Sequence, residues 1–208
     1  MTVELLTLQG RNVRLEPLST AHIDGLVRAS SGDASLYQWS AVPRGAEAVQ
    51  KYVETALAWR KAGTAFPFAT VRLSDGAVIG STRFFDIEHW DWPAGHARHG
   101  RINPDVCEIG YTWLAQDAIR TAANGEAKFL MLKHAFEVWG VLRICFHTDA
   151  RNIRSQKAIE RIGGIREGML RAHRMAADAT ARDSVRYSIV AREWPGVKER
   201  LSRLLDRK

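Results

Sequence analysis

The 208-residue sequence holds only two cysteines, Cys107 and Cys145, and they form no C-x-x-C pair. That argues against cysteine metal ligation and for buried, reduced thiols in a cytoplasmic protein. There is no long apolar run and no charged-then-apolar leader, so neither a membrane partner nor secretion is expected. Basic residues never run longer than two, and no nucleic-acid recognition motif accompanies them, which ranks nucleic acid last among partners. Two phosphate signatures are also missing. Without G-x-G-x-x-G there is no dinucleotide fingerprint, and without G-K-[ST] there is no P-loop. No internal repeat, low-complexity segment or linker interrupts the chain.

What remains is a chain that is 46% hydrophobic and carries a net charge of +7. It can bury a core, fits one domain over 1–208, and favours an anionic partner. Its organising stretch runs from Cys107 to Gly164. An apolar strand (108–114) leads to a small-residue turn (115–125), a helix (126–139), a second strand (143–148) and a second helix (152–162). In the turn, Arg120-Thr121-Ala122-Ala123-Asn124-Gly125 is slim enough for backbone N–H groups to approach an anion. The helix that follows offers its unpaired N–H groups and positive dipole end to the same place, which suits a diphosphate.

The flanking segments read as ordinary α/β elements. A half-buried strand covers 12–17, and Thr20 caps a helix with Ile23, Leu26 and Val27 inward. Another helix spans about 46–62 and stops at Gly63. Strands at 68–73 and 77–87 join at Ser74-Asp75-Gly76, strands at 165–175 and 182–190 follow, and an amphipathic segment at 193–205 closes the chain. The irregular stretch 89–106 holds His89, His96 and His99 with Trp90 and Trp92. The histidines lack i,i+4 spacing, so no metal is expected. A flap over a pocket, or a loop pinned by its tryptophans, fits this stretch better.

Glu108 to Leu114, Arg120-Thr121, Asn124 with Glu126-Ala127-Lys128, then Thr148-Asp149 and Asn152 with Arg154-Ser155 together resemble the acetyl-CoA-binding core of the GNAT N-acetyltransferases. Within that superfamily they look like the branch named for the ribosomal-protein N-terminal alanine acetyltransferases. The likeness extends from the Arg11-to-Leu18 strand to Glu193-Trp194-Pro195. It implies a mixed, mostly antiparallel central sheet flanked by helices, with acetyl-CoA as co-substrate, an amine acceptor, and room for a homodimer. Arg120 and Ala122 stand where the family usually carries glycines.

By this resemblance the coenzyme would be held by Trp113, Leu114, Ala115, the turn Arg120, Thr121, Ala122, Ala123, Asn124 and Gly125, and then Asn152 and Ser155. A backbone N–H near Leu114 would face the thioester. An α-ammonium has a pKa of about 8, so the acceptor must lose a proton before attack. Glu108 is the candidate base, directly or through water, or else a structural carboxylate paired with an arginine. Ser155 is the candidate acid for the thiolate, or a helix-end hydrogen bonder. Trp39, Phe85, Trp90, Arg171 and His173 are candidate acceptor contacts, with ordinary packing as the alternative for Trp39. The acceptor stays open between a protein N-terminus and a small or antibiotic-type amine. A non-catalytic acyl-CoA-binding module is the alternative outside catalysis.

Overall fold

The computed structural model describes residues 6–206. One eight-stranded sheet runs through them in the order β1-β2-β3-β4-β5-β6-β8-β7. The strands are β1 (Leu8–Gln9), β2 (Val13–Pro17), β3 (Ala65–Arg72), β4 (Val78–Glu88), β5 (Val106–Leu114), β6 (Arg143–Asp149), β7 (Ile165–Met175) and β8 (Ala181–Val190). The helices are α1 (Ile23–Ala29), α2 (Ala46–Lys61), α3 (Ala123–Lys133), α4 (Ile153–Arg161) and α5 (Trp194–Asp206). Neighbouring strands pair antiparallel except β5 and β6, which are parallel. This is the mixed, mostly antiparallel sheet that the resemblance implied.

Alternation along β4 assigns the helices to faces. Ser81 bonds Tyr52 of α2 at 3.1 Å, while the next residue, Thr82, bonds Lys128 of α3 at 2.9 Å. Consecutive strand residues point to opposite faces, so α2 and α3 cover opposite sides of the sheet. In α2 the fully buried residues are Val49, Val53 and Ala56, one helical stripe, and Gly63 ends the helix in the left-handed region with φ 74°. The core between the layers includes Leu15, Phe68, Phe84, Met131, Leu132, Ile144 and Tyr187.

Several boundaries move from their expected places, each for a local reason. The helix expected from Glu126 starts at Ala123, because Thr121 Oγ1 accepts from Ala123 N at 3.2 Å and opens the helix one turn earlier. Beyond Lys133 the chain continues as a π-helical stretch, His134–Trp139, and stops at Gly140 with φ 66°. β3 begins at Ala65, ahead of the expected Phe68, and carries Pro67 inside it. The ladder with β2 ends at Pro17↔Phe68, so no amide is needed there, and Pro67 O still accepts from Leu18 N at 2.9 Å. The turn at 74–76 closes as expected, with Arg72 N donating to Ala77 O at 2.8 Å.

The 89–105 segment is a strap fastened to the sheet, not a free flap. Asp105 accepts from Trp90 N (2.8 Å), Trp92 Nε1 (3.0 Å) and Arg98 (3.2 Å). Arg98 and Arg101 also reach the carbonyls of Gly140 and Trp139. His96 stacks on Trp92 at 4.2 Å, and His99 bonds Trp92 O at 2.7 Å, so two of the three histidines pack the strap itself.

Candidate active site

The parallel seam between β5 and β6 is short. Its register is Val106↔Arg143, Cys107↔Ile144 and Glu108↔Cys145, after which β6 pairs only with β8 and β5 only with β4. From Gly110 onward the edge of β5 facing β6 is therefore unpaired, and a cleft opens between the strands. β5 is also irregular here. Its ladder with β4 steps from Arg83↔Gly110 to Ser81↔Trp113, setting Tyr111 and Thr112 against Thr82 alone, and Tyr111 has φ 50°. Such a bulge takes a backbone amide out of the ladder. It lies at Tyr111-Thr112, upstream of the expected place near Leu114. At that later point Leu114 O accepts from Tyr37 Oη at 2.8 Å, and Ala115 N donates to Ile79 O at 2.7 Å.

Glu108 sits at the vertex of the cleft, 4% exposed. It is not a free base. His147 Nδ1 lies 2.8 Å from its Oε2, and Arg174 lies 3.5 Å from the same oxygen. A carboxylate can only accept, so the neutral imidazole carries its proton on Nδ1 and its lone pair on Nε2. That Nε2 is buried and has no hydrogen-bond partner among the described residues. His173 stands beside it with ring centroids 4.9 Å apart, and its Nδ1 is likewise buried and unpartnered. Burial, followed by the charge of Arg174, holds His173 below the usual imidazole range, so it is neutral at pH 7.

His147 was missed from the sequence. The signal is an alternation of two residues from Cys145, but it becomes legible only once Glu108↔Cys145 is known. Phe85 does reach the cluster. It pairs opposite Glu108, packs edge-on against Tyr111 at 5.0 Å, and lies under the Arg174 guanidinium at 5.4 Å. Gly110 makes room for it, since a Cβ there would fall 2.7 Å from the Phe85 ring. Trp90 does not join. It is 47% exposed on the strap, packed with Trp92 at 5.6 Å and bonded to Asp105. Trp39 lies under Arg151 at 4.0 Å, and Arg151 in turn pairs with Asp149 and Asp178. Arg171 is exposed on the bulge of β7 that carries His173 over the sheet.

At the other end of the cleft, Arg120 adopts φ 66°, the left-handed turn in which glycine is at ease. Thr121 Oγ1 also donates to Ala118 O at 2.8 Å, tightening the turn. Ala122 is the N-cap of α3, and the next amides, Asn124 N and Gly125 N, donate to no protein group among the described residues. Asn124 Oδ1 is buried and also unpartnered. Glu126, one turn in, accepts from the amides of Arg11, Asn12 and Val13 at 2.7, 2.7 and 2.9 Å, clamping α3 to the start of β2. Across the cleft, Asn152 caps α4 by accepting from Ser155 N at 3.0 Å, so its oxygen is engaged within the helix end. Ser155 is half-buried in the first turn of α4.

A family model described as "Acetyltransferase (GNAT) domain" matches residues 12–165. The chain belongs to the GNAT acetyltransferases. Solved structures agree with that membership. A T. thermophilus protein classed as an acetyltransferase is 35% identical, with a TM-score of 0.77, covering 99% of this acetyltransferase and 100% of that chain. A GCN5-related N-acetyltransferase from Brucella melitensis is 27% identical, with a TM-score of 0.83 over 99% of this chain and 87% of that one. Mycobacterium smegmatis RimJ, solved with CoA-disulfide, shares the fold at 20% identity and a TM-score of 0.76, covering 96% of this chain and 93% of that one. Among curated proteins, none matches.

Proposed function

We propose that this acetyltransferase is a single N-acetyltransferase domain that moves an acetyl group from acetyl-CoA directly to a primary amine, on a protein N-terminus or a small molecule. The observation that carries this reading is the Glu108–His147 pair at the vertex of the cleft, with Nε2 buried and unpartnered. Its two free, buried cysteines suit a reducing cytoplasm.

The residues present fit the co-substrate. Asn124 N and Gly125 N, backed by the dipole of α3, would take the diphosphate, with the Arg120 cation beside them. Acetyl-CoA, when bound, supplies an activated acyl group. The freed amide of the Tyr111-Thr112 bulge would face the carbonyl oxygen as it gains charge. His147 Nε2 would accept the proton that the amine nitrogen sheds as it bonds to the acyl carbon. Glu108 would hold the ring in the right tautomer and stabilise its charged form. Ser155 would pass a proton to the thiolate as the C–S bond breaks, its hydroxyl being reprotonated from solvent as His147 releases its proton there. Glu108 is thus reassigned from base to positioning residue, and His147 takes the base role.

Thiol release from acetyl-CoA, followed over a panel of amines and N-terminal peptides with mass spectrometry of the products, tests this. N-acetylated product is the expected outcome. Acetyl-CoA binding without turnover on any amine would sink it.

A further inference from the structure

Strand β4 carries a cation that the fold buries and leaves unanswered. Arg83 is 1% exposed, and its Nε and Nη2 are both buried without a hydrogen-bond partner among the described residues. These two nitrogens form one edge of the guanidinium, the edge that meets a carboxylate through two parallel N–H···O bonds. Three rings surround it, with Cζ 4.3 Å from the Tyr111 centroid, 4.9 Å from Tyr52 and 5.2 Å from Trp59. Aromatic faces stabilise the charge above and below its plane, but they leave the in-plane donors unmet. Nor can the group shed its charge, because guanidinium stays protonated in proteins. The neighbouring carboxylates are taken. Glu108 is held by His147 and Arg174, and Asp86 by Arg174 at 2.9 Å.

Position ties this orphan fork to the reacting centre. Arg83 pairs opposite Gly110, and Phe85 opposite Glu108, so Arg83 and Glu108 are diagonal neighbours with Cα atoms about 7–8 Å apart. Tyr111 spans the two, contacting the Arg83 cation and the Phe85 ring. At 39% exposed it is the most open of the three walls, Tyr52 and Trp59 being half-buried. We propose that the Arg83 fork is the specificity determinant of the acceptor site, receiving a carboxylate borne by the same molecule as the reacting amine. The preferred acceptors are then small amino carboxylates. This rests on the amine-acetylating reading given above. An acceptor passing Tyr111 sets its carboxylate on Nε and Nη2 and its amine toward His147 Nε2.

The test compares free L-amino acids with their C-terminal amides in the thiol-release assay, using the full chain. Free acids are expected to exceed amides by about 10- to 100-fold in kcat/KM, because an amide leaves the fork unpaired. In Arg83→Gln the advantage should collapse through KM. Arg83→Lys keeps the charge without the fork and should restore only part of it. Tryptophan fluorescence with coenzyme A present, and Trp59 beside the cation, gives a readout free of turnover: saturable quenching by free amino acids, weakened about tenfold or more in Arg83→Gln. Equal kcat/KM for acids and amides in the wild type overturns the proposal and leaves N-acetyl transfer standing. Arg83-dependent binding of amino acids with no thiol release from any amine supports the fork and overturns the catalytic reading. Neither binding nor turnover overturns both.

Discussion

Arg120 is the one residue of the diphosphate turn that departs from what its backbone prefers. At φ 66° a side chain costs about 1 kcal/mol relative to glycine, yet the side chain is exposed and lies beside two free helix-start amides. Arg120→Gly should therefore raise the thermal midpoint by a few degrees while weakening coenzyme A, and calorimetry alongside a melting curve reads both. At the vertex, Glu108→Gln keeps the shape but no longer obliges His147 to present its lone pair at Nε2. Its kcat should fall about 100-fold, with a smaller change in the KM for acetyl-CoA, in steady-state kinetics. His173 gives the pH sign. Its pKa lies below the ordinary imidazole value, so it stays neutral through pH 7 and gains charge only on acidification. That charge would arise beside Arg174 and within a buried setting, so an NMR titration should show the His173 ring protonating below the usual imidazole range.

Between elements, the contact of α3 with the sheet is more polar than a core usually is. Lys128 is fully buried, bonded to Thr82 Oγ1 at 2.9 Å and Thr112 Oγ1 at 2.6 Å, and burial lowers its pKa to about 7. The unfolded chain holds this proton up to about pH 10.4, whereas the folded chain releases it near 7, so stability rises with pH across that window and is flat below it. Lys128→Met should remove the slope and stabilise the protein at neutral pH by a few kcal/mol, on the order of what the shift implies, as urea melts at several pH values would show. The opposite sign is expected for Glu126→Ala, which strands three buried or half-buried amides and should cost about 3 kcal/mol. These contacts also mark what could be read from sequence. Alternation and turn residues located β5, β6, α4 and the 74–76 hairpin, because those signals are local. Arg83 and His147 stayed hidden because their meaning depends on the pairings Arg83↔Gly110 and Glu108↔Cys145, which no single strand encodes. Trp90 looked like a pocket wall because aromatic content does not reveal which end of a loop Asp105 fastens.

For the whole molecule, the decisive feature is that two antiparallel blocks, β1 to β5 and β6 to β8, meet through three parallel register pairs. Anything bound across that seam joins both blocks and is felt throughout the fold. Coenzyme A at about 100 times its dissociation constant should stabilise the protein by about 2.7 kcal/mol, and hydrogen exchange should slow on both β5 and β6. If protection appears on one block alone, the ligand does not bridge the seam. The hydroxyl of Tyr37 has a role in this junction too, because it already holds the Leu114 carbonyl at the cleft mouth. A pantetheine amide donating to that carbonyl would take its second lone pair, weaken the Tyr37 bond and loosen the 34–37 turn leading to Trp39. An ordered sequence, thioester before amine, is the expected outcome. Initial-velocity and dead-end inhibition patterns would show an amine analogue that competes only with amine and binds only after the donor has arrived.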